Sequence, residues 1–222
     1  VEGHGGNELC TTCHNPHSPT INFAAVPRPP VDPKTGKALP VSAAKAGDAG
    51  AGKSVAAACS ACHGNSGMSP NPAWPNLAGQ NDDYLANSLK AFKSGARKND
   101  MMSPMAAGLS DADMRNVAAY FSKSSCSVTG GDKAKAGLGK AKAASCAACH
   151  SSGGLRNPGK DGISGAQAWP NLAGQNAEYL VSALKSFQDG SRSHAVMTSV
   201  AKTLSASDID NLAAYYATAS CK

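Results

Sequence analysis

Apolar side chains recur at helical spacing in two separate stretches of the chain. After Asn81, a residue suited to cap a helix, come Leu85, Leu89 and Phe92 at steps of three and four. Further on, Ser110 and Asp113 form a capping-box pattern with Asp in place of the usual Glu. Met114, Val117, Ala118 and Phe121 follow at i, i+3, i+4 and i+7, which predicts an amphipathic helix with Met114 on its buried stripe. The pattern returns as Ser205, Asp208, Ile209, Leu212, Ala213 and Tyr216. Ala-rich stretches near 49–59 and 134–146 predict two more helices. No segment sustains strand alternation, so the predicted class is mainly α.

The recurrence is a true internal repeat. Trp74-Pro75-Asn76-Leu77-Ala78-Gly79-Gln80-Asn81 returns as Trp169-Pro170-Asn171-Leu172-Ala173-Gly174-Gln175-Asn176, at an offset of 95 residues. The register holds through Tyr84/Tyr179, Phe92/Phe187, Arg97/Arg192, Leu109/Leu204 and Cys126/Cys221. Upstream of the Trp the offset is 87, so the second copy carries eight extra residues, placed in the Gly- and Ser-rich stretch 151–167. Two copies argue for two similar domains and not a solenoid, which needs at least three short units. The predicted divisions are 1–44, 45–128 and 129–222. Within the first, Val26–Pro40 holds five prolines and reads as an extended connector.

Eight cysteines sharpen the picture, because six fall in C-x-x-C pairs each followed at once by His. The three motifs are Cys10-Thr11-Thr12-Cys13-His14, Cys59-Ser60-Ala61-Cys62-His63 and Cys146-Ala147-Ala148-Cys149-His150. On a helical turn, residues i and i+3 point the same way. Both sulfurs can then form thioethers to the two vinyl groups of one haem, and the following His can bind the iron from one face. A redox dithiol or half a zinc site is the rival reading of one such motif. Three copies, two of them in equivalent domains, favour three covalently bound haem c groups. Composition agrees. Aromatics make up only 5% of the chain, thin material for two cores, and haems would fill the space. The net charge of +6 would be offset by haem propionates. No basic block with interleaved aromatics suggests nucleic acid, and no apolar run is long enough to span a membrane. The chain starts at Val1 with no signal-peptide pattern and reads as a mature or trimmed product.

Each iron needs a second axial ligand. The second repeat has one methionine, Met197, and the 95-residue register selects Met102 from those of the first. A thioether favours reduced iron and raises the potential relative to bis-His ligation. No methionine precedes Met68, so the N-terminal site looks to histidine. His4 could fold back over the distal face and is favoured over His17, which lies on the same side as His14; His194 is a remoter candidate whose bland reading is a surface residue. The Trp-Pro loops are expected near the proximal histidines, with the main-chain carbonyl of Pro75 or Pro170 accepting the His Nδ1–H. Cys126 and Cys221 occupy equivalent places and could meet at a pseudo-twofold axis as a disulfide. Free thiols or bonds to another chain are the alternatives.

The A-x-C-x-A-C-H motifs, the WPNLAGQ loops, the Phe-x-x-Gly-x-Arg helix ends and the Met seven residues before Leu-Ser closely resemble the dihaem cytochrome c4 family. The resemblance covers Cys59 to Cys126 and Cys146 to Cys221. It implies two tandem class I cytochrome c domains related by a pseudo-twofold, with His/Met ligation, in the periplasm, either soluble or associated with the membrane surface. Here a small irregular haem-binding segment precedes them. Cys10–Ser18 looks like the C-H-x-P-H motifs of low-potential multihaem cytochromes, which a dihaem c4 protein lacks. The expected function is single-electron transfer between respiratory redox partners, from a membrane-bound donor complex to a terminal oxidase or reductase, with no enzyme activity of its own. The rivals are a fixed haem subunit of a larger redox enzyme or respiratory supercomplex, and an enzyme with a five-coordinate N-terminal haem.

Overall fold

A computed structural model describes residues 46–150 and 169–221. The predicted N-terminal haem residues Cys10, Cys13, His14 and His4, with His17, the Pro-rich connector and the 151–167 insertion, lie outside the described residues. Within them the protein is helical, with no strand.

The first repeat comprises α1 (Ala49–His63), α2 (Asp82–Ser94), α3 (Met102–Ala107) and α4 (Asp111–Ser122). The second comprises α5 (Lys133–Lys142), a 3-10 turn (Ala143–Ser145), α6 (Ala147–His150), α7 (Ala177–Asp189), α8 (Ala195–Lys202) and α9 (Ala206–Thr218). The caps follow the sequence. Asn81 accepts from Tyr84 N at 2.8 Å, and Ser110/Asp113 and Ser205/Asp208 form complete capping boxes. The predicted stripes are buried. Met114, Val117, Ala118 and Phe121 line one core; Ile209, Leu212, Ala213 and Tyr216 line the other.

In each repeat the first helix packs across the last, α1 on α4 and α5 on α9. Glycine makes these crossings possible. A Cβ on Gly52 would strike the carbonyl oxygen of Asn116, and one on Gly139 would strike that of Asn211. The two crossings are equivalent in the repeat register, and at each the helix backbones meet with no side chain between them.

One element departs from expectation. The helix expected across 134–146 ends at Lys142, whereas α1 runs unbroken to His63. Ser145 Oγ donates to Lys142 O at 3.0 Å, and Cys146 N turns instead to Ala143 O at 3.0 Å. The hydroxyl takes the carbonyl that the next α-helical bond would have used. The first repeat has Ala58 at that place; elsewhere α1 carries serine-to-carbonyl bonds of the same kind, Ser54 Oγ to Ala51 O at 2.8 Å and Ser60 Oγ to Ala56 O at 2.9 Å, and stays unbroken.

The repeats are joined by the Cys126–Cys221 disulfide, with Cα atoms 6.0 Å apart. Of the alternatives open in the sequence, the structure selects the bond at the pseudo-twofold axis. Among the described residues no helix is long and apolar enough to cross a membrane.

Candidate functional site

Each repeat sets its C-x-x-C-H motif against its Trp-Pro loop, at the end of α1 in the first and past the 3-10 turn, on α6, in the second. Cys59, Cys62, Cys146 and Cys149 stand outside any disulfide, and all four are half-buried. Cys59 packs against the first core and Cys146 against the second. Burial pushes the Cys59 thiol above its ordinary value. Zinc ligation would call for further donors, and among the described residues no three His, Cys, Asp or Glu side chains are grouped to hold an ion.

His63 is only 6% exposed and His150 only 7%. The Nδ1 of His63 lies 2.9 Å from Pro75 O, and that of His150 lies 2.9 Å from Pro170 O. These are the carbonyls expected from the sequence. A carbonyl only accepts, so each Nδ1 carries the proton and donates, and in the neutral ring Nε2 is left unprotonated, with a lone pair able to ligate. Burial also lowers the pKa of His63, outweighing the opposite pull of the Pro75 bond, and so favours the neutral ring. Two buried imidazoles with fixed tautomers, each next to two half-buried thiols on one helical turn, match what a covalently attached haem needs from its protein. The cores fit as well. The first is lined by Ala56, Leu85, Ala86, Val117, Ala118 and Phe121, in which three of six side chains are alanine.

Met102 opens α3 and Met197 lies in the first turn of α8, both half-buried. The two are held alike. Asn99 Oδ1 accepts from Met102 N at 2.9 Å, and His194 Nδ1 accepts from Met197 N at 3.3 Å. His194 therefore caps the methionine helix of its own repeat, as Asn99 does in the first. Of the other methionines, Met114 is fully buried and Met101 and Met105 are exposed; Met68 is half-buried like the pair but has no counterpart in the 95-residue register.

Sequence reasoning missed how the loops meet. Gln175 Oε1 accepts from Asn76 N at 2.7 Å, and Gln175 Nε2 donates to Asn76 O at 3.0 Å. The mirrored pair is Asn171 N to Gln80 Oε1 at 2.6 Å and Gln80 Nε2 to Asn171 O at 2.8 Å. Asn76 Nδ2 donates to Gly174 O, and Asn171 Nδ2 to Gly79 O. Four amide side chains thus stitch the two loops into one pseudo-symmetric unit. At its edge Arg97 lies over Phe92 and donates to the Tyr179 hydroxyl, and Arg192 lies over Phe187 and donates to that of Tyr84. The symmetry breaks at Asn176. Its side chain leaves the cap of α7 and donates to Trp74 O at 2.8 Å. Among the described residues no buried side-chain nitrogen or oxygen lacks a partner.

Comparison with known proteins gives the same picture. The family model described as cytochrome c matches residues 48–125 and again 136–220. Cytochrome c4 of Pseudomonas aeruginosa is 38% identical over 183 residues, spanning 77% of this chain and 88% of that protein. A thiosulfate dehydrogenase electron acceptor of Stutzerimonas stutzeri is 33% identical over 184 residues, spanning 76% of this chain and 82% of that one. The crystal structure of reduced recombinant cytochrome c4 from Pseudomonas stutzeri superposes with a TM-score of 0.70 at 36% identity, covering 79% of this chain and 100% of that chain.

Proposed function

The chain belongs to the cytochrome c family and, within it, to the cytochromes c4, and we propose that, with a third C-x-x-C-H motif before the two repeats, it is a trihaem carrier passing single electrons between periplasmic or membrane-bound redox proteins. Haem c would be held by Cys59, Cys62 and His63 with Met102, and by Cys146, Cys149 and His150 with Met197. A third would be held by Cys10, Cys13 and His14 with His4. The divisions 1–44, 45–128 and 129–222 each take one haem in this reading.

The observation that carries it is the matched pair of Nδ1–carbonyl bonds, His63 to Pro75 and His150 to Pro170, both 2.9 Å. When bound, haem iron supplies the one-electron couple; the protein sets its ligands, burial and access. The proline carbonyls fix the tautomer and raise the basicity of each imidazole. The thiols would anchor the group covalently, leaving iron ligation to the histidines and methionines. Asn99 and His194 fix the starts of the two methionine helices. Partners are redox proteins: a membrane-bound donor complex on one side and a terminal oxidase or reductase on the other. The relative named for accepting electrons from thiosulfate dehydrogenase supports a second reading, in which this chain serves one dehydrogenase as a fixed haem subunit.

Mass spectrometry of the purified protein, combined with a pyridine haemochrome assay, tests the cofactor content. Three covalent haems per chain are expected. Unmodified cysteines at any of the three motifs, Cys10/Cys13 included, would overturn the reading.

A further inference from the structure

The geometry assigns to Gln175 and Gln80 a crossed role: each is a positioning residue for the proximal histidine of the opposite repeat. The inference rests on the proposed haem ligation. It follows from which peptide each glutamine holds. Pro75 O, which orients His63, belongs to the same peptide unit as Asn76 N. That N–H is held at 2.7 Å by Gln175, from the second repeat. Pro170 O orients His150, and the N–H of its peptide unit, on Asn171, is held at 2.6 Å by Gln80, from the first repeat.

The peptide is one resonant unit. When its N–H donates to a good acceptor, its oxygen becomes a better acceptor in turn, because chained hydrogen bonds polarise one another. Gln175 therefore strengthens the bond that Pro75 O receives from His63 Nδ1. A more basic imidazole favours the oxidised iron. Gln175 Nε2 also donates to Asn76 O at 3.0 Å, so the glutamine grips the loop at two points and fixes its tilt. Asn76 and Gln175 are 4% and 5% exposed, which leaves little access for a water to take over. Each repeat thus contributes to the potential of the other's haem through a side chain that touches neither the iron ligands nor the thiols.

The test uses the full-length, haem-loaded protein with Gln175→Leu and, separately, Gln80→Leu. The disulfide holds the repeats together in both. Gln175→Met is a second variant should Leu disturb folding. Waves in a spectroelectrochemical titration are assigned with Met102→His, which moves only the haem of the first repeat. Amide exchange at Asn76 and Asn171 is followed by NMR.

Gln175→Leu should raise the potential of the His63 haem, leave the His150 haem in place and speed exchange at Asn76 but not at Asn171; Asn176 N, which shares the Gln175 Oε1 acceptor, should also exchange faster. Gln80→Leu should do the converse. Tyr84→Phe, which loosens the interface without touching the clamp, should not reproduce the crossed pattern. Shifts confined to the mutated repeat, equal shifts of both haems, or none would overturn the assignment. Haem content separates the two failures: missing haem refutes the ligation itself, whereas loaded protein with uncrossed potentials refutes only the role of the glutamines.

Discussion

Cys126 and Cys221 stand 95 residues apart at equivalent points of the two repeats, joined as a disulfide beside Gly174, where an added Cβ would lie 2.8 Å from both sulfurs. The bond lies against the loops that carry the crossed amide contacts. A cross-link over a loop of this length is worth up to about 4–5 kcal/mol in the chain-entropy picture, by restricting the unfolded chain. The Cys126→Ser/Cys221→Ser double variant should lose stability of that order in a denaturant titration. Its unfolding should be less cooperative, because the repeats would be held by the loop contacts alone.

The helix crossings give an opposed pair of substitutions on α5. Gly139→Ala drives a Cβ into the Asn211 carbonyl, and overpacking of this kind costs about 1–3 kcal/mol. Gly137 is exposed, with nothing within 4 Å of its added Cβ. Gly137→Ala should therefore stabilise by about 0.5–1 kcal/mol through helix propensity alone. Thermal unfolding of the two variants should move in opposite directions.

His194 accepts the N–H of Met197 at the start of α8. His194→Ala should cost about 1 kcal/mol, as lost caps do. His194→Asn should recover most of it, because Asn99 performs the same task in the first repeat. Chemical denaturation of the two variants checks this. A large loss in the Asn variant would contradict the capping role.

Tyr84 links the repeats through Arg192 and carries a pH signature. Burial raises its pKa, but Arg192 and Arg97, with hydrogen bonds from Arg192 and Ser88, outweigh that and bring it down to about 8. The unfolded value is about 10. Between those two values the unfolded state binds more protons, so stability rises with pH. The contribution is complete above about 10 and is lost as pH falls through 8. The difference in unfolding free energy between wild type and Tyr84→Phe should widen across that window.

Much of this was legible along the chain because it is local. The capping pairs Ser110/Asp113 and Ser205/Asp208, the stripe from Met114 to Phe121 and the motif spacing all encode contacts within a turn or two. The Pro75 and Pro170 carbonyls were foreseeable because a buried ligand histidine needs an acceptor for its second nitrogen. The clamp of Asn76 by Gln175 was not, since its two partners lie 99 residues apart and polar loop residues ordinarily face water. Its one trace was the identity of Asn and Gln in both loops, more than a packed Trp-Pro turn requires. Gly52 and Gly139 hid similarly, as ordinary small residues in Ala-rich helices. The end of α5 at Lys142 left no mark in the periodicity, which runs on across it. His194 revealed its role only once its partner, Met197 N, was seen.

The most direct test of the account is a spectroelectrochemical titration of the purified protein with low-temperature EPR of its oxidised form. Three low-spin haems are predicted, two showing the methionine-to-iron charge-transfer band and one bis-His signal at lower potential. A high-spin haem that binds added cyanide would contradict it, replacing a carrier with a protein that has an open iron site.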